Sequence, residues 1–366
     1  MSQCDIWIEL DDDRRQYRFG DTVSGRVFVL AHAVCTCNGL TVSVGWKTHG
    51  RGNGTEHELF SRELSRGGQL RPGEITSYRF ETTLPSGPAT YHGHYLNVDW
   101  YVSARVDMPW AFDPKAELDI LVSPGPRADD YVPGDLTHCP AALERAVSLS
   151  SYVLGGLLLF VMGGLAFLLI MSMVGGRPVG LGLFALLAGW MFRRPLRNYA
   201  SRLLIGKVDV AVGPRRVHPG EALRCKLLIT PRHPSQLNKV TFTLVGEEVC
   251  VSGSGTDRKT HTYQVCKESF VIDEVAGRLL PRGRTFELEQ LIQLPEDAGY
   301  SFYARNNKLV WSVKVHVDVA RWPDSLFDYP VEVIPAKEPA GAGEVSKESS
   351  LVTKVSGAAR PRGRAG

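Results

Sequence analysis

His92-Gly93-His94 is the pair whose spacing comes nearest to metal chemistry. Alternate residues of a strand share one face, so two imidazoles set two apart can offer nitrogens to a single ion, with Asp99 close by as a carboxylate. No third ligand stands at a metal-site spacing, so the segment reads as an exposed loop between strands and no metal is assigned. Cys35-Thr36-Cys37 has one residue between its thiols where zinc knuckles and redox pairs have two, and it reads as two thiols at a strand end. Asp11-Asp12-Asp13 runs into Arg14-Arg15 and reads as a solvated turn. Ser252-Gly253-Ser254-Gly255 is followed by neither Lys-Ser/Thr nor a helix, so it is a hairpin loop and not a phosphate cradle. No nucleophile elbow or HExxH pattern occurs. These residues point away from an enzyme: no catalytic residue, no cofactor and no small-molecule substrate are expected.

The elements that would position them are strands. Residues 6–10, Val23–Leu30, Leu40–Trp46, Tyr78–Leu84, Trp100–Val106 and Leu118–Val122 are rich in β-branched and aromatic residues, and Gly, Pro and Asn/Asp clusters separate them. Leu40, Val42, Val44 and Trp46 alternate on one face. No segment before residue 123 keeps a helical period over three turns. Short strands at this spacing predict an antiparallel, immunoglobulin-like sandwich over residues 1–125.

The pattern then occurs a second time. LRPGEITSYRFETTLP (Leu70–Pro85) is followed by a strand that starts at Trp100; LLPRGRTFELEQLIQLP (Leu279–Pro295) is followed by one that starts at Trp311. Phe19-Gly20-Asp21 opens one half and His218-Pro219-Gly220-Glu221 the other. Each half closes on an apolar strand, Ile120–Val122 and Val331–Ile334. The shared order is an internal repeat and places a second sandwich at 205–335. Trp46, Trp100 and Trp311 are expected as core anchors.

Between the halves lies an uncharged run. No Asp, Glu, Lys or Arg occurs between Arg145 and Arg177. As a helix, Leu149 to Val174 would reach about 39 Å, more than the roughly 30 Å of bilayer hydrocarbon. Gly175-Gly176-Arg177-Pro178 would turn the chain, and a shorter run to Phe192 would return. The expectation is a membrane helical hairpin, residues 147–175 and 178–204, joined to the first half by a linker at 126–146. Gly156, Gly163, Gly182, Ala185 and Gly189 would form its packing faces. Arg145, Arg193, Arg194, Arg197 and Arg202 would sit at the membrane interface and keep both β domains cytoplasmic. A single crossing, with the second run only dipping in, is the alternative. The fold class expected is therefore mainly β with a transmembrane α-helical hairpin.

Net charge is +3, which gives no sign of nucleic-acid binding, but it is uneven. Residues 1–144 hold 13 basic against 20 acidic side chains, net −7, and residues 193–335 hold 21 against 16, net +5. The amino end is acidic and unlike a signal peptide. Seven scattered cysteines fit reduced thiols better than a disulfide framework. Residues 336–366 are mostly Ala, Gly, Ser, Lys, Glu, Pro and Arg, a disordered composition.

The duplicated sandwich resembles the arrestin fold. Tyr17-Arg-Phe-Gly-Asp-Thr-Val-Ser-Gly-Arg-Val-Phe-Val29, Leu70-Arg-Pro-Gly-Glu74, Tyr78–Pro85, Ala89–Gly93 and Trp100–Ala104 are similar, in order, to the amino-terminal domain of α-arrestins. The resemblance covers most of residues 5–122 and extends more weakly over 207–335. It implies two tandem sandwiches and an adaptor role. The family's proline-proline-x-tyrosine motif is absent and the tail lacks tyrosine, so recruitment of a ubiquitin ligase is not implied. The expected function is a membrane-anchored adaptor that binds membrane or cytoplasmic proteins, its acidic first half offering sheet edges to an extended partner segment. The rivals are an auxiliary subunit of a membrane transport or secretion complex working through the hairpin and, third, an enzyme or metal-binding protein.

Overall fold

The computed structural model describes residues 4–110, 112–125, 131–138, 206–320 and 324–336. Alternation of apolar side chains makes its strands. From Asn307 to Val319 every second residue is buried, because successive side chains of a strand point to opposite faces.

The first half contains β1 (Cys4–Leu10), β2 (Gln16–Arg18), β3 (Thr22–Ala31), β4 (Cys35–Cys37), β5 (Gly39–Gly50), β6 (Thr55–Ser65), β7 (Gly68–Leu70), β8 (Ile75–Thr83), β9 (Tyr91–His92), β10 (Leu96–Asp107) and β11 (Lys115–Ser123). One sheet has the order β1-β3-β8. The facing sheet has the order β2-β11-β10-β5-β6, with β9 added beside β10. Val23, Val27 and Val29 of the first sheet meet Val42, Val44, Trp100 and Val102 of the second in one core.

The second half repeats this strand for strand: β12 (Gly206–Gly213), β13 (Arg216–Val217), β14 (Ala222–Pro231), β15 (Ser235–Ser252), β16 (Lys259–Ile272), β17 (Leu279–Leu280), β18 (Phe286–Gln293), β19 (Phe302–Tyr303), β20 (Asn307–Val319) and β21 (Ser325–Val333). Its sheets are β12-β14-β18 and β13-β21-β20-β15-β16. The long β15 does the work of β4 and β5 together, pairing with β17 at its start as β4 pairs with β7. The tandem sandwiches that the arrestin resemblance implies are present.

The repeated sequence landmarks bond to one another. Gly20 donates to Leu84 O at 3.0 Å, and Leu84 N donates to Asp21 O at 2.8 Å. In the second half Gly220 donates to Pro295 O at 3.1 Å, and Leu294 N to Glu221 O at 3.0 Å. Gly20 and Gly220 have φ of 83° and 77°, a region only glycine enters without strain, which is why each opening turn carries one. Trp100 is fully buried, with its indole N–H on Pro88 O at 2.7 Å; Trp311 places its own on Gly299 O at 2.9 Å, again twelve residues upstream. Trp46 is buried beside Trp100, to which it is paired across β5 and β10.

Two expectations change. The strands β6 and β16 are long and lie in stretches where no strand was expected. Each is the edge of its sheet and shows polar residues on both faces, so neither has the alternation by which strands are recognised. The larger correction concerns the helical hairpin. The described residues are strands, turns and short 3₁₀ segments, and no helix among them is long and apolar enough to cross a membrane. Residues 147–175 and 178–204, with Arg145, Arg193, Arg194, Arg197, Arg202, Gly156, Gly163, Gly182, Ala185 and Gly189, lie outside the described residues. An uncharged run of spanning length meets a criterion of composition, and composition alone does not make a helix. The mixed fold class is corrected to β for the described chain, and the transmembrane and integral-membrane assignments are not supported.

Candidate functional site: the junction of the two sandwiches

The richest polar cluster among the described residues joins the two halves. It is built from the turn before β10, the turn before β20 and the ends of β5 and β15. Glu248 sits on the inward face of β15, in line with Phe242, Leu244 and Cys250, and is fully buried. Its carboxylate accepts four hydrogen bonds from the first sandwich. Tyr91 Oη donates to Oε1 at 2.7 Å and His94 N to Oε1 at 3.0 Å. Tyr95 N and Leu96 N donate to Oε2 at 2.6 and 3.2 Å. Converging donors hold the charge in place of a cation, since hydrogen bonds to a charged acceptor are the strong ones. Burial, and then the bond to Glu248, push the Tyr91 phenol well above its ordinary range. A Cβ on Gly93 would stand 1.9 Å from Glu248 Oε1, so the turn closes around the carboxylate only because position 93 has no side chain.

The reverse exchange uses the matching positions. Trp46 and Gly246 are the partners of Trp100 and Trp311 in their sheets, so Thr48 of β5 corresponds to Glu248 of β15. Thr48 Oγ1 accepts a hydrogen bond at 3.0 Å from Asn307 Nδ2, at the start of β20, and the same group reaches Asn53 O at 2.7 Å. Phe302 of β19 meets Trp46 edge to face at 5.6 Å, as Tyr91 of β9 meets Glu248. Each sandwich thus inserts the turn before its own central strand against the other's β5-type strand. His94 stacks on Tyr263 of β16 at 4.1 Å. Cys250 Sγ lies 3.5 Å from Tyr95 O, and burial raises its thiol to about 11.

The connecting chain strengthens the junction. Residues 131–138 of the linker are loop with a short 3₁₀ turn at Leu136–His138, and they bond the second sandwich: Tyr303 N donates to Pro133 O and Asp135 N donates to Tyr303 O, both at 2.8 Å. Tyr131 Oη donates to Ser301 O at 2.8 Å.

The sequence-singled residues separate here. His92 and His94 do not converge: His94 faces Tyr263, whereas His92 Nε2 meets Asp99 Oδ1 at 2.7 Å. His49 Nε2 bonds the other oxygen of Asp99, a partner sequence spacing did not suggest. No group of three His, Cys, Asp or Glu among the described residues is placed to hold a metal. Cys35 and Cys37 are buried at β4, where Cys37 Sγ lies 3.5 Å from Gly68 O. Asp12 of the aspartate triplet is held below its ordinary range by the backbone and side chain of Arg14. Gly253, in the glycine-serine loop, bonds Asn53. Glu248 itself was missed; its one sequence signal is an acid on the apolar face of an alternating strand. Enclosed as it is, the carboxylate is a structural tie with no access to a substrate.

No family model matches the chain, and no curated protein matches it. Among solved structures it is similar to Spo0M, a sporulation control protein from Bacillus subtilis, at 19% identity and a TM-score of 0.30, over 34% of this chain and 51% of that one. The match spans about half the length of that protein.

Proposed function

We propose that the protein is a non-catalytic, arrestin-like adaptor of the α-arrestin type, in which two sandwiches tied at their junction present one surface to another protein. The observation that carries this reading is the hairpin loop between β10 and β11. Trp110 and Phe112 are 105% and 100% exposed, the two most exposed large apolar residues among those described. Trp110 has φ of 62°, a strained conformation for a bulky side chain. The loop's base is fastened: Asp113 Oδ1 accepts from Met108 N at 2.8 Å, and Oδ2 accepts from Arg105 Nε at 2.9 Å. A fastened loop that gives two aromatic rings to water fits an anchor that a partner's pocket covers, because aromatic side chains dominate the energetics of protein interfaces. The polar edges of β6 and β16 add hydrogen-bonding surface for an extended partner segment.

The test is affinity purification of the full chain with mass spectrometry, wild type against Trp110→Ser/Phe112→Ser. The reading expects a protein captured by the wild type to fall at least ten-fold with the double variant while Tm is unchanged. Capture that is equal for both, or no captured protein at all, contradicts it.

A further inference from the structure

Beside the junction lies a cleft of about 570 Å³. Its walls are aromatic and proline-rich: Tyr131 and Tyr300, with ring centroids 5.6 Å apart, and Pro124 and Pro335. Its rim carries Glu296 and Asp297, both exposed and neither with an ion-pair partner among the described residues. Arg18 packs beside the lining residue Gly125, and His218, next to the lining residue Pro219, places its Nδ1 3.2 Å from Ile334 O. Tyrosine and proline walls suit an extended, proline-containing segment, which loses little entropy on docking. Free carboxylates beside tyrosine faces suit arginine, through both charge and cation–π attraction.

We propose that this cleft is occupied in cis by Arg360-Pro361-Arg362-Gly363-Arg364 of the same chain. Two observations select that occupant. Ala336 lines the cleft itself, so the chain leaves the second sandwich at the site. Further along the same chain, Arg360, Arg362 and Arg364 around Pro361 supply the positive charge that the acidic rim lacks. Flexible Gly- and Ser-containing chains of such length have, in general, a mean span of roughly 25–30 Å, which corresponds to about millimolar effective concentration of an end group. A weak, charge-dependent contact is therefore enough to fill the cleft.

The probe is a synthetic peptide of residues 357–366, titrated into two full-length proteins, wild type and Arg360→Ala/Arg362→Ala/Arg364→Ala. The substituted chain should bind the peptide at least ten-fold more tightly than the wild type, whose own tail competes. Adding Glu296→Gln/Asp297→Asn to the substituted chain should abolish that binding without changing Tm. Equal binding to both proteins would show a cleft open to partners in trans and overturn the proposal. No binding to the substituted chain, or binding indifferent to Glu296 and Asp297, would overturn it as well. Loss of partner capture through Trp110 and Phe112 leaves this result unaffected, so the two proposals fail separately.

Discussion

Asn53 and Gly253 hold matching places in the two repeats, and each bonds the other: Asn53 Nδ2 donates to Gly253 O at 2.8 Å, and Gly253 N donates to Asn53 Oδ1 at 3.1 Å. A residue that meets its own counterpart lies near a pseudo-two-fold axis, so the junction is organised like a symmetric dimer fused into one chain. Symmetry in position is not identity in chemistry. Thr48 accepts from two donors, Asn307 Nδ2 and Thr55 N, and its counterpart Glu248 accepts from four.

The two tryptophans at the fifth position of the central strands β10 and β20 should be of similar weight. Trp100→Ala and Trp311→Ala are each expected to lower stability by about 3–5 kcal/mol, through lost burial and the cavity left behind. Urea unfolding followed by circular dichroism measures both. A loss below about 1 kcal/mol at either site would mean that the buried indole is not an anchor.

Gly93 and Glu248 should be coupled sterically. Gly93→Ala puts a methyl group against the carboxylate and is expected to cost about 1–3 kcal/mol, the range of overpacking. In a Glu248→Ala background the same change should cost less, since Glu248 Oε1, the nearest atom it strikes, is gone and only Tyr91 Cε1 at 2.7 Å remains in the way. Equal cost in both backgrounds, read from denaturant midpoints, would contradict the closure of the turn around the carboxylate.

Thiol chemistry reports on burial. Burial pushes Cys225 up to about 12 and Cys250 up to about 11, from an ordinary value of 9.0. The unfolded chain therefore releases these protons at lower pH than the folded one. Their contribution to stability is complete below about pH 9 and is lost as pH rises toward 11–12. At pH 8, iodoacetamide should modify half-buried Cys266 well before Cys225 and Cys250, as peptide mapping will show. Rapid native labelling of Cys225 would contradict the burial.

How much of this was legible in the sequence depends on where each signal resides. Trp100, Trp311, Leu84-Pro85 and Leu294-Pro295 are marked by residue type, so the duplication and the sandwich could be read directly. The edge strands β6 and β16 could not, because exposure on both faces removes the alternation. The junction was hidden for a different reason. Three of the four donors to Glu248 are backbone N–H groups, which every non-proline residue possesses. The bond of His49 to Asp99 was likewise invisible, since register across β5 and β10 sets it. The uncharged middle run was readable as composition only, and the described residues contain no helix of spanning length.

The central claim is that Glu248 ties the sandwiches into one unit, and a double-mutant cycle on Tyr91→Phe and Glu248→Gln tests it most directly. Denaturant unfolding of the full chain would be followed by tryptophan fluorescence and circular dichroism. A hydrogen bond to a charged group predicts a coupling of about 1.5–3 kcal/mol, with both probes reporting one transition in the wild type. Additive losses within about 0.5 kcal/mol, together with two separate transitions in the wild type, would contradict it.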